Sequence, residues 1–580
     1  MAPDSSSDHV DVLIVGAGLS GIGAAHHLQE RCPAKSFLLL EARHAIGGTW
    51  DLFRYPGVRS DSDMYTFGYR FRPWTDDVTM ADGPSILSYI RETATEAGID
   101  QKIRFGHRMV RAEWCSAEER WTVWAAREGP SPVGGQVKLT AKFLFNCSGY
   151  YKYDQGFTPP FPQLGDFGGR VVHPQHWPED LDYAGKRVVV IGSGATAVTL
   201  VPAMAASAAH VVMLQRSPTY VVSEPGRDAV ALFLRRWLPA WLAYLLTRWK
   251  NVGKAILFYW LSQTYPQTVR GWLRAWAQEQ LPDGFAVDVH FKPKYDPWDQ
   301  RLCAVPNGDL FAALSSGRAS VVTDTIQRFT AGGVLLSSGE ELKADLIVTA
   351  TGFTLQVMGG AELVVDGEPV AFSERMAYKG MMLSGVPNSA FTVGYTNSSW
   401  TLKARPGLQR VCRSGVSGAS SHLQPSPGRL GLRVRLPHPQ LHGRGRVYSP
   451  GAAQRLESVA SEETALCSVQ LGPGAAAQPA HAKRQPRPAP PERTRPTQAF
   501  ILASWLPRHE VPRADPAMER HALLDFGAGY IQRSIDELPK QGAAWPWRLR
   551  MNYVADVLSI RHGALADSAM EFRRPHAKPD

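Results

Sequence analysis

Residues Val10 to Gly21 read V-D-V-L-I-V-G-A-G-L-S-G, an apolar run that breaks into three glycines spaced G-x-G-x-x-G. The apolar run is rich in β-branched residues and suits a strand buried in a parallel sheet. An Ala-rich stretch of helical character follows Gly21. In this strand–turn–helix order each glycine has its own task. Gly16 permits the tight turn, Gly18 the close approach of backbone to a pyrophosphate, and Gly21 the packing of helix on strand. The helix N-terminus then holds the phosphates. A second apolar strand, Phe37 to Leu40, ends in Glu41, placed where an acid accepts hydrogen bonds from ribose hydroxyls. The chain therefore opens as an α/β dinucleotide-binding unit.

A second unit begins at Arg187. The strand R-V-V-V-I runs into Gly192-Ser193-Gly194-Ala195-Thr196-Ala197, a G-x-G-x-x-A whose small third residue still lets helix and strand pack. The next strand, His210 to Leu214, ends in Gln215-Arg216-Ser217, where an NAD site would carry an acid. An acid repels a 2′-phosphate, whereas Arg216 can bind one bidentately, at about 1.5–3 kcal/mol per charged hydrogen bond. This points to NADPH. Between the two units, Phe167 to Pro178 reads F-G-G-R-V-V-H-P-Q-H-W-P. An apolar anchor, a permissive glycine and a His–Trp pair sit where a hinge between two domains would lie.

Read as F-x-G-x-x-x-H-x-x-x-W-P, through Phe167, Gly169, His173, Trp177 and Pro178, that stretch resembles the fingerprint of the Baeyer–Villiger monooxygenases. These flavoenzymes insert one oxygen atom of O2 beside a ketone carbonyl, using NADPH. The resemblance covers about residues 8–404 and 516–572. Tyr378 to Met382 and Tyr395 to Trp400 look closest to the ethionamide-monooxygenase branch. The resemblance implies that Gly47-Gly48-Thr49-Trp50 runs along the flavin, so the first site holds FAD. It implies that Asp61, closing R-Y-P-G-V-R-S-D, pairs with a catalytic arginine, and that this arginine is Arg301 in Y-D-P-W-D-Q-R-L-C. The always-charged guanidinium would stabilise developing negative charge. His173 and Trp177 would couple the position of NADP to domain movement. Substrates would be ketones or sulfides, with O2. A monooxygenase acting on soft nitrogen or sulfur is the nearest alternative.

The implied fold is an α/β two-dinucleotide-binding-domain flavoprotein, with FAD and NADPH Rossmann-like domains and a helical insert. The FAD-binding part spans 1–150 and 350–404 and is completed by 516–580. The NADPH-binding part spans 151–221 and 297–349, with a helical subdomain at 222–296. In that subdomain Asp228 to Tyr265 is rich in Trp, Leu, Tyr and Arg with apolar positions three and four apart, hence amphipathic helices. Two readings remain for them, a lid packed over the site or a peripheral membrane contact. Residues 84–98 read as helix, Arg108 to Val137 as two or three antiparallel strands, and Cys147 as a small buried residue.

Composition bounds the rest. The 580 residues, 44% apolar and 20% charged, suit two or three globular domains. Six scattered cysteines with no C-x-x-C indicate neither a disulfide framework nor a zinc site and suit a reducing, cytoplasmic setting. No basic and apolar leader opens the chain, and no apolar run reaches the roughly 18 residues of a spanning helix. The net charge of +10 does not indicate nucleic acid, because residues 405–500 hold 14 basic and 4 acidic residues and supply all of it. That segment has 13 Pro, no Asp and no sustained period. Residues 405–515 therefore read as an insert unable to bury a core. The segment is either translated intron or shifted-frame sequence, or a genuine basic insert. If it displaces part of the FAD-binding domain, the chain is an inactive nucleotide-binding remnant.

The Arg216 assignment predicts that Arg216→Ala raises the KM for NADPH by about tenfold or more while leaving that for NADH nearly unchanged. Equal effects on both cofactors in steady-state assays would remove Arg216 from this role.

Overall fold

The computed structural model describes residues 9–127, 135–300, 302–395, 399, 401–402, 509–512, 520–523, 529–543, 545–548, 553–556 and 570–573. Arg301 and residues 403–508, which contain the basic Pro-rich segment, lie outside the described residues.

The apolar run at the start becomes strand β1, His9–Val15, and helix α1, Leu19–Arg31, follows the glycine turn. Strand β2, Phe37–Leu40, pairs parallel with β1 in the register Val12↔Phe37 to Val15↔Leu40. Helix α2, Gly83–Glu96, is capped by the Asp82 carboxylate, which accepts the Ser85 N–H. Ile103–Arg104 (β3), His107–Cys115 (β4), Arg120–Arg127 (β5) and Gln136–Asn146 (β6) follow. The antiparallel expectation for Arg108 to Val137 holds, as β4–β5 and β5–β6 are both antiparallel.

Strand β6 joins two sheet types. Its first half pairs antiparallel with β5, whereas its whole length from Thr140 onward lies parallel to β1. Alternation along β1 then sorts the core. Val12 and Ile14 face the cluster with α1 and α2, while Leu13 and Val15 face a second cluster holding Trp114 and Trp121, both fully buried. With both faces covered, the strand reads as a continuous apolar run.

The second fingerprint builds a separate five-stranded parallel sheet. Its strands are Arg170–Val172 (β7), Arg187–Ile191 (β8), His210–Gln215 (β9), Ala319–Thr323 (β10) and Leu346–Thr349 (β11), in the order β10-β9-β8-β11-β7. Helix α3, Ala195–Ala205, packs on it through Ala197, Val198 and Val201. Between β9 and β10 rise α4 (Ala229–Trp237), α5 (Ala240–Thr264) and α6 (Pro266–Glu279), so the helical stretch runs beyond Tyr265. Helix α7, Asp309–Ser315, returns the chain to the sheet. The chain then rejoins the first sheet through Glu362–Val365 (β12), parallel to β4, and Ser389–Phe391 (β13), parallel to β6.

One difference lies at the end of the stretch expected to lack structure. His509–Pro512 forms a strand antiparallel to Met570–Arg573, because a partner far along the chain supplies the hydrogen bonds that local composition does not. No helix among the described residues is long and apolar enough to cross a membrane.

Trp121 is fully buried, and its indole N–H donates to the carbonyls of Pro387 and Asn388 at 3.2 and 3.1 Å, tying β5 to the segment before β13. Trp121→Ala should cost about 3–5 kcal/mol and lower the thermal unfolding midpoint measured by circular dichroism. An unchanged midpoint would show that this contact does not hold the two segments together.

Candidate active site

The first fingerprint folds as its spacing requires. Gly16 has φ +102°, and a Cβ there would stand 2.5 Å from the Cys147 carbonyl oxygen. A Cβ on Gly21 would stand 1.8 Å from the Gly16 carbonyl oxygen. Glu41 is buried, and its carboxylate accepts the Ala17 N–H at 2.7 Å and the Arg43 N–H at 2.9 Å, one on each oxygen. Burial pushes its pKa up, and these two bonds oppose the rise. Each oxygen keeps a second lone pair, so the carboxylate can still accept ribose hydroxyls.

The G-G-x-W segment docks on this turn. Gly47 N–H donates to the Ala17 carbonyl at 3.2 Å, and a Cβ on Gly48 would stand 3.2 Å from Gly18 Cα. The Thr49 hydroxyl lies 3.2 Å from that of Tyr153, whose pKa burial pushes up to about 12, so the phenol stays protonated. The following loop reaches the second unit. Gly57, at φ +75°, has room for no Cβ, because one would lie 2.8 Å from Ala203 Cβ and 2.9 Å from the Thr199 carbonyl oxygen on α3. Arg59 then makes a bidentate ion pair with Asp309, the first residue of α7, at 2.5 and 3.3 Å.

These contacts enclose a cavity of 570 Å³. Gly16, Gly18, Glu41, Gly48, Thr49, Trp50 and Asp61 line it from one unit and Thr196 from the other. The volume and the mixed lining suit a cofactor site, and the glycine turns form a cradle that side chains would fill.

Other expected residues lie apart from this lining. Gly21 and Ala197 act in packing, Ala197 being fully buried. At Gly192, φ +135°, a Cβ would stand 2.3 Å from the Ala350 carbonyl oxygen, whereas Gly194 faces open space at the start of α3. Arg216 and Ser217 are exposed at the end of β9. Gln215 turns inward there, donating to the His290 carbonyl and to Thr323 Oγ1, both at 2.8 Å. The Ser193 hydroxyl donates to the Ser217 carbonyl at 3.2 Å.

His173 is also outside the lining. Its Nδ1 accepts the Gln175 N–H at 3.2 Å, which leaves Nε2 to donate to the Gly352 carbonyl, also at 3.2 Å. The imidazole is thereby held neutral in one tautomer, and burial lowers its pKa below 6.5. A Cβ on Gly156 would stand 2.0 Å from His173 Cε1, so the ring occupies the place of a side chain there. His173 thus links the strand Tyr151–Gly156 to the turn Ala350-Thr351-Gly352 that follows β11. Trp177 is partly buried and meets Tyr183 edge-on, 6.3 Å between centroids.

Sequence reasoning missed Tyr153, Gln175 and Arg59. Gln175 is buried and its amide donates to the carbonyls of Lys152 and Tyr153 at 2.8 and 2.9 Å. Arg59 carried a signal, since it lies inside the R-Y-P-G-V-R-S-D motif. Cys147 is buried as expected, and burial pushes its thiol up to about 12, which rules it out as a thiolate nucleophile at neutral pH.

A mixed sheet and a parallel sheet, each with a glycine turn between a parallel strand and a helix, give a two-dinucleotide-binding fold. Solved structures share this fold. An oxidised steroid monooxygenase bound to NADP matches with a TM-score of 0.59 at 23% identity, covering 70% of this chain and 85% of that one. An open crystal structure of cyclohexanone monooxygenase matches with a TM-score of 0.58 at 21% identity, covering 70% and 87%. The chain belongs to the flavin-binding monooxygenase-like family, whose model matches residues 11–365. It is 48% identical over 571 residues to the FAD-containing monooxygenase EthA of Mycobacterium tuberculosis strain H37Rv, covering 98% of this chain and 99% of that protein. It is 54% identical over 572 residues to the putative FAD-containing monooxygenase MymA of the same strain, covering 98% of each. The protein is therefore a flavin-dependent monooxygenase.

The lowered pKa of His173 sets a sign for pH dependence. A histidine depressed on folding contributes stability above its unfolded value, near 6.5, and that contribution is lost as pH falls through the folded value. The stability difference between the native chain and His173→Asn should be constant above pH 6.5 and shrink below it. A difference independent of pH in denaturant titrations would refute the neutral, buried imidazole.

Proposed function

We propose that the chain is an NADPH- and O2-dependent Baeyer–Villiger monooxygenase that converts ketones to esters or lactones and also oxidises sulfides. FAD and NADPH are its cofactors. The observation that carries this reading is one cavity lined both by the first glycine turn and by Ala195 and Thr196 at the start of α3, with Asp61 at the end of its loop also in the lining. The named relatives contain FAD, and the solved ketone monooxygenases share the fold, which supports the cofactor pair.

Bound FAD, once reduced by NADPH, supplies the activation of O2. The chain's own residues supply position and charge. The α1 N-terminus and Glu41 hold the first dinucleotide by its phosphates and ribose, with Thr49 and Trp50 beside the flavin. The α3 N-terminus and Thr196 hold the second, and Arg216 with Ser217 takes its 2′-phosphate. Asp61 orients Arg301, whose guanidinium holds the negative charge that develops as oxygen transfers. His173 and Trp177 pass the position of NADP to the junction at Gly352, since the same imidazole contacts the strand leaving the first unit and the turn re-entering it. The separate mixed and parallel sheets support the division into FAD-binding (1–150, 350–404, 516–580) and NADPH-binding (151–221, 297–349) parts, with the helices of 222–296 inserted between strands.

Arg301→Ala tests the assignment. The purified variant should still bleach its flavin on anaerobic addition of NADPH. In air it should release hydrogen peroxide, with ester formation reduced by about 100-fold to 1,000-fold in a gas-chromatographic assay. Full ester yield would refute the role of Arg301. A native chain giving only N-oxides or sulfoxides would favour the soft-nucleophile reading. A native chain without flavin would be the inactive remnant.

A further inference from the structure

We propose that the outer face of α4, α5 and α6 is a docking surface that lies on an anionic lipid bilayer. These three consecutive helices leave six tryptophans in solvent. Trp237 and Trp241 are each 68% exposed, Trp260 52%, Trp249 45%, and Trp272 and Trp276 41%. Phe233 and Leu257 add 63% and 56% exposure. Their spacing puts them on common faces: Val230, Phe233 and Trp237 on α4, Trp249, Leu257 and Trp260 on α5, Trp272 and Trp276 on α6. The opposite arc of α5 is buried through Ala243, Thr247, Arg248 and Val252. Arg248 donates from there to the carbonyls of Tyr65 and Gly68, and Asn251 donates to the Asp63 carboxylate at 2.9 Å. The fold therefore holds the tryptophan face outward on a fixed platform. An indole pairs a large apolar body with one N–H donor, a combination favoured at the headgroup level of a bilayer.

Charge selects the occupant. Between Asp228 and Glu279 the chain has no acidic residue and seven basic ones, Arg235, Arg236, Arg248, Lys250, Lys254, Arg270 and Arg274. Arg248 is the buried anchor. Five of the others pair with acids from flanking segments, as in Lys254–Glu224 and Arg235–Asp77. The more exposed of these pairs, Lys254–Glu224 and Arg235–Asp77 among them, contribute little stability, so a lipid phosphate can compete for their cations. The helices thus present indoles and six accessible cations against one carboxylate of their own, the exposed Glu279 that ends α6, a balance that favours an anionic headgroup layer. A second copy docked on the same face would bring like charges together. The segment 405–500 of this chain is net positive and would be repelled too. Helix α5 carries Arg248, Lys250 and Lys254, so the surface lies on a bilayer and does not cross one.

The test uses the full chain loaded with FAD. Flotation with phosphatidylcholine vesicles, with and without phosphatidylglycerol, should bring the protein up with the anionic vesicles. The double variant Trp237→Ser, Trp241→Ser removes the two most exposed indoles, neither of which is part of the core, and should weaken binding by about tenfold or more at unchanged flavin content. If that variant fails to hold flavin, brominated lipids should quench the tryptophan emission of the native chain. Absence of flotation, flotation unchanged in the double variant, or no quenching would each overturn the proposal. A dimer abolished by the double variant without any vesicle binding would overturn it in favour of an interface between copies.

Discussion

Gly21 lies so close to the Gly16 carbonyl oxygen that a methyl group cannot be placed between them: a Cβ there would stand 1.8 Å away. That contact lets α1 start directly against the end of β1, and the rest of the first unit is arranged around it. The N–H groups at the start of α1 then point at the same space as the Glu41 carboxylate. In the second unit Gly192 is pressed against the Ala350 carbonyl as Gly16 is against that of Cys147, while Ala197 stands at the third position. In both, the missing side chain matters more than any side chain present.

Loops from distant parts of the chain bring the first turn and the start of α3 onto one cavity. Gly57 seats the 54–61 loop on α3, and Arg59 fastens it to Asp309, 250 residues away in sequence. Asp61 opens onto the cavity at the end of that loop. On the other side, His173 fills the space beside Gly156 and bonds the Gly352 carbonyl. A shift of the second sheet would be felt at both places, through a charged pair and through a neutral imidazole held in one tautomer.

The helices between β9 and β10 have two arcs of different character. Their inner arcs pack on the enzyme, with Arg248 capping the carbonyls of the short helix Met64–Phe67 and its following residue. Their outer arcs carry the tryptophans. Amphipathic periodicity alone does not say which solvent the second face meets. The burial of one arc and the exposure of the other show only which face the protein covers.

The amino-acid order by itself determined the features that depend on a few neighbouring residues. The two glycine turns, the buried acid at Glu41 and the amphipathic helices were all legible, because turn sterics and periodicity act over a handful of positions. Tertiary structure decided what depends on long-range approach. It brought Asp61 and Thr196 to one cavity, put Tyr153 beside Thr49, used Gln175 as a buried pin, and left His173 behind the cavity wall instead of in it. It also gave His509–Pro512 a strand partner near the end of the chain. No local pattern encodes such contacts, since each arises only when segments tens or hundreds of residues apart are packed and their buried polar groups must find one another.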